Sequence, residues 1–100
     1  MSRALIERRL FDVAQRLKRA REELALIEEQ LAAMSDAADE ARIRSLVSET
    51  PLAHREFCEA QRHADAMERS RRAVAAEVSE LQIAQDELLD RLIGEDTPRP

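Results

Sequence analysis

Few residues in this chain have the types and spacing that chemistry needs. His54 and Cys58 stand four apart, which on a helix puts an imidazole and a thiol on one face, and His63 follows nearby. Two zinc ligands can share a helix face at that spacing. A third and fourth ligand of matching geometry are missing, and the His-Glu-x-x-His pattern of helical zinc proteases is absent. As a nucleophile pair, Cys58 and His54 would need a pocket and oxyanion donors, which a two-helix scaffold does not offer. The expectation is therefore solvated polar residues on an outer face, with Cys58 an ordinary exposed thiol. No catalytic, cofactor or metal site is assigned, and the chain is read as non-enzymatic.

The second candidate is electrostatic. Residues 3–21 hold seven cations (Arg3, Arg8, Arg9, Arg16, Lys18, Arg19, Arg21) against two acids, Glu7 and Asp12. Such a strip suits phosphate. Aromatic residues to interleave with bases are missing, since Phe11 and Phe57 are the only two in the chain. The net charge of −5 also argues against a nucleic-acid partner. Residues 77–96 carry seven acids and one cation, Arg91, so an antiparallel fold would lay opposite blocks side by side. The expected role of that pairing is to choose orientation and register, because a surface ion pair contributes only about 0–1 kcal/mol.

The elements that must position these residues are helices. Of 100 residues one is glycine, Gly94, and Pro51 is the only proline before residue 98. The rest is rich in Ala, Leu, Glu, Arg and Gln, which are strong helix formers. A charged fraction of 37% beside 44% apolar residues fits a coiled coil better than a thick core. Length allows one domain, read as 1–94, with a frayed tail at 95–100. A single cysteine excludes an internal disulfide and suits a reducing compartment. No apolar run approaches the roughly 20 residues that cross a bilayer, and the N-terminus becomes charged too soon for a signal peptide. The location expected is cytoplasmic, away from membranes.

Ser2 is a plausible N-cap. From Ile6 the apolar residues step alternately by four and three through Leu10, Val13, Leu17, Ala20, Leu24, Ile27, Leu31 and Met34 to Ala38, Ala41 and Ser45. That is the heptad of a coiled coil, with Leu10, Leu17, Leu24 and Leu31 at position a and Ile6, Val13, Ala20, Ile27 and Met34 at d. Ser48-Glu49-Thr50-Pro51 breaks it: Thr50 is a good N-cap, Pro51 suits the first helical position, and proline biases its predecessor away from helix. The same step then returns from Ala53 and Phe57 to Leu88 and Leu92, interrupted by Arg71 and Gln85. Gly94 is placed at the left-handed position that ends a helix. The fold expected is an all-α antiparallel coiled-coil hairpin with helices at about 3–47 and 51–93. A kink at Ser35-Asp36 is the alternative to one unbroken first helix.

Folding the chain at residue 49 pairs positions whose numbers sum to 98. Leu10 then meets Leu88, Leu17 meets Leu81, Ala20 meets Val78 and Ile27 meets Arg71. Every layer sets an a against a d, as antiparallel packing requires. Arg71 either fixes register from within the seam or runs its alkyl stem outward towards Glu28 or Glu68; the second is preferred.

Two helices alone bury little, and several apolar residues lie off the seam. At the open end these are Leu5, Phe11, Leu89 and Ile93; near the turn, Ile43, Leu46, Val47 and Leu52; along the flanks, Leu26 and Ile83. The reading is an adaptor, scaffold or assembly factor that docks through one of these sets, preferably the open end, on a larger protein or on a second copy to give a four-helix bundle. The alternative is a regulator acting through the 44–52 turn, with Glu49 at its centre. In outline such a hairpin resembles the coiled-coil factors that enter the secondary channel of RNA polymerase. Those factors present a pair of acids at the tip to hold a metal, whereas Glu49 stands alone among Arg42, Arg44 and Arg55.

Overall fold

A computed structural model describes residues 2–96. The protein is an all-α hairpin of two helices, α1 (Arg3–Ser48) and α2 (Pro51–Asp96), and among the described residues there is no strand. Both starts are capped by side chains, because the first N–H groups of a helix have no backbone partner. Ser2 Oγ accepts the Leu5 N–H at 3.3 Å. Thr50 Oγ1 accepts the Ala53 N–H at 3.1 Å, and the Thr50 carbonyl accepts the first bond of α2, from His54.

The link is two residues, Glu49 and Thr50. The Glu49 N–H still bonds the Ser45 carbonyl, but its φ is 53°, the left-handed conformation that stops α1. A residue with a Cβ holds that conformation at a cost of about 1–2 kcal/mol. Thr50 then resets the backbone for Pro51, whose absent N–H leaves nothing unsatisfied there.

Helix α1 runs unbroken through Ser35-Asp36, as the preferred reading had it. The expected stop at Gly94 does not occur. Gly94 lacks a positive φ and α2 continues through it to Asp96. Glu95 and Asp96 of the expected tail are thus helical, and its remainder lies outside the described residues. The reason is local: glycine tolerates left-handed backbone but does not require it, and Gly94 keeps a negative φ.

The residues group into two compact units: the chain up to Glu23 with the chain from Val74 on, and Leu24–Ala73. In the first unit the core is Leu17, Ala20 and Leu81, with Val13 and Val78 packed against it, which places the layers Leu17–Leu81 and Ala20–Val78 together as the pairing rule requires. Ile6 is 1% exposed in the same unit, and Leu88 is buried. The second unit buries Ile27, Ala38, Ala41, Ala53 and Ala64, with Leu31, Met34, Phe57 and Met67 half-buried. Its core is alanine-rich.

Every fully buried residue occupies an a or d position, and each seam position from Ile6 to Leu92 is at least half-buried, including Ser45, Arg71 and Gln85. Truncating the seam should therefore cost far more than truncating the flanks. Leu81→Ala should lower the unfolding free energy by about 2–4 kcal/mol. Phe11→Ala should stay within about 0.5 kcal/mol. Chemical denaturation followed by far-ultraviolet circular dichroism measures both. Gly94→Ala should raise helix stability by up to about 1 kcal/mol; a loss would mean that Gly94 is needed as a helix stop.

Candidate functional site

The thiol–imidazole pair forms but remains a pair. Cys58 Sγ lies 3.5 Å from His54 Nε2, and the His54 ring meets Phe57 edge-on at 6.5 Å between centroids. Cys58 is half-buried rather than the exposed thiol expected, with the His54 ring beside it. His63 is exposed. Among the described residues no three His, Cys, Asp or Glu side chains gather as metal ligands do.

Arg71 enters the seam with its stem and leaves it with its charge. Its Nε and Nη2 donate to the two carboxylate oxygens of Glu68 at 2.8 and 2.7 Å, a bidentate pair one turn away. Arg72 adds a longer contact of 3.4 Å to the same carboxylate. These hydrogen bonds hold the Glu68 carboxyl below the usual carboxylate range. The same bonds push the Arg71 guanidinium further up, with a weaker pull from Glu28 on the facing helix. That pull agrees with Ile27 and Arg71 forming one layer.

The charged blocks meet along an open groove of about 310 Å³ in the first unit. Arg9, Arg16 and Arg91 line it together with Asp12 and Glu87, over a floor of Val13, Ala84 and Leu88. The ion pairs Arg3–Glu7 and Arg71–Glu68 each lie within one helix. The groove shows which side each residue occupies. Arg9, Arg16, Ala84 and Arg91 take heptad position g, and Asp12 and Glu87 take c. In an antiparallel pair the g and c positions of both helices share one side, and e and b share the other.

By that rule three of the four open-end candidates fall together. Phe11 and Ile93 are at b and Leu89 is at e, all exposed, at 68%, 64% and 41%. Leu5 does not join them: it is half-buried and at c. At the turn, Leu46, Val47 and Leu52 are exposed, Val47 to 80%, on either side of Glu49. Ile43, Leu46 and Val47 form a continuous apolar arc on the last turns of α1. A second row, of small exposed residues at position c, escapes any reading confined to large side chains: Ala33, Ala66 and Ala73. Counting c positions by sevens finds it. Among the described residues no helix is long and apolar enough to cross a membrane.

The lowered Glu68 fixes a sign. A carboxyl whose folded pKa lies below its unfolded value stabilises the fold above the ordinary glutamate range, and that contribution fades as pH falls through the folded value. Glu68→Gln should therefore be less stable than the parent at pH 7, with the gap closing on acidification. Denaturation midpoints across a pH series measure it.

No protein-family model matches the chain, and neither a curated protein nor a solved structure matches it.

Proposed function

We propose that this hairpin is a non-enzymatic interaction module, a small coiled-coil adaptor, scaffold or assembly factor that docks on a larger protein or on a second copy of itself. One observation carries the reading. The seam covers the apolar a and d residues, yet Phe11, Leu89 and Ile93 stay exposed on one side of the first unit. Exposed large apolar residues gathered on one side mark docking surfaces more often than scattered ones do. Immobilised full-length chain should capture a discrete partner from native lysate, and Phe11→Asp with Leu89→Asp should lose it while helix content stays unchanged. Capture that is indifferent to these changes would remove the open end from consideration.

The strained Glu49 favours a second reading, a regulator that presents the turn to a larger enzyme such as RNA polymerase. A left-handed residue with a side chain, beside exposed Leu46, Val47 and Leu52, is the kind of strain that is kept where it serves a purpose. Glu49→Gly should then stabilise the hairpin by about 1 kcal/mol and impair its activity. A variant that gains stability at no functional loss leaves the turn a mere connection.

A further inference from the structure

The groove in the first unit carries a charge arrangement that helix packing does not explain. Residues 77–96 hold seven acids and one cation, and that cation, Arg91, lines the groove together with Arg9 and Arg16. Arg9 and Arg91 both occupy position g between the layers Ile6–Leu92 and Leu10–Leu88. In an antiparallel pair such g residues stand opposite each other. They differ by two residues in height, about 3 Å. Two cations are thus set against each other where an acid on α2 would have made a complementary pair. None of the three guanidinium groups has an ion-pair partner among the described residues. Asp12 and Glu87 line the same groove, three or four residues away on the same helices, and leave them unpaired.

The cationic stretch is short. From Arg9 to Arg16 it spans about 10 Å, and the g pair beyond, Glu23 with Glu77, is acidic and closes it to an anion. The groove holds about 310 Å³, at the lower end of the roughly 300–1,000 Å³ of small-molecule sites. Those dimensions suit a small molecule and not a third helix.

We propose that the groove binds a small phosphate monoester with an apolar body. The phosphate lies between Arg9 and Arg91, and the body rests on the floor of Val13, Ala84 and Leu88. A phosphate monoester carries about −2 at neutral pH, which matches two opposed guanidinium groups. Each guanidinium is a planar fork able to donate two parallel N–H bonds to phosphate oxygens. The acids compete weakly, because exposed ion pairs three or four residues apart are given up at small cost. Asp12 and Glu87 stand one turn further in, so they hold the anionic head at the level of Arg9 and Arg91 and repel a second phosphate beside it. That excludes an extended polyanion, in keeping with the net charge of −5. The site lies on the g and c side, away from Phe11, Leu89 and Ile93, and does not depend on docking there.

Isothermal titration of the full chain with phenyl phosphate at fixed ionic strength tests the site, with inorganic phosphate as the head alone. Phenyl phosphate should saturate one site per chain. Inorganic phosphate should bind several-fold more weakly, since it makes no contact with the floor. Arg91→Gln should weaken phenyl phosphate binding by about tenfold or more. Arg8→Gln removes a cation at position f, outside the groove, and should leave the affinity within about twofold. Circular dichroism checks that both variants keep their helix content. Absence of saturation through the millimolar range overturns the proposal. Equal losses from Arg8→Gln and Arg91→Gln also overturn it, because they would show an adventitious ion only, drawn by unspecific charge. Equal affinity for the two phosphates overturns it as well, since the apolar floor would then contribute nothing.

Discussion

The structure depends on one constraint: each helix must hide a stripe of apolar side chains recurring every three and four residues, and the other helix is what the fold provides to hide it. Among the described residues there is no third layer. With Phe11 exposed and Phe57 half-buried, no aromatic cluster supplements the seam. Burial must therefore come from leucine, isoleucine, valine and alanine at a and d. The two units meet this demand differently. Leu17, Leu81, Val13 and Val78 pack around Ala20 in one; Ala38, Ala41, Ala53 and Ala64 fill buried seam positions in the other. Packing of the second kind offers less area per residue and relies on helix propensity to stay ordered, which alanine supplies.

The link between the helices serves that constraint. A two-residue connection allows few registers, and a slip of one residue would carry the seam off its face. Thr50 and Pro51 start α2 at a defined residue through the bond to Ala53. Glu49 stops α1 by taking a conformation that glycine would adopt at less cost. Arg71 shows the constraint being met with an unsuitable residue: the stem occupies a seam position and the bidentate bond to Glu68 keeps the charge at the edge.

Much of this was legible in the sequence, because heptad spacing, a capping threonine and a proline at the first helical position each have one dominant structural meaning. The layers Leu17–Leu81 and Ala20–Val78 followed from counting alone. That the charged blocks lie side by side was legible too: Arg9 and Arg16 line one groove with Glu87. What was not legible depends on competition between local and distant partners. Gly94 was read as a stop because glycine tolerates left-handed backbone, but tolerance is not a requirement, and Glu95 and Asp96 after it are helical. Cys58 was placed outside by its heptad letter, yet it is half-buried, with His54 3.5 Å away four residues back.

The candidate surfaces follow from the seam by subtraction. Once a and d are assigned inward, any apolar residue at b, c, e or f lacks an internal reason to be apolar. A single such residue means nothing, since folded proteins expose much apolar surface. One feature turns single residues into a surface here: Phe11, Leu89 and Ile93 come from different helices yet fall on the same side, which sequence distance alone would not suggest.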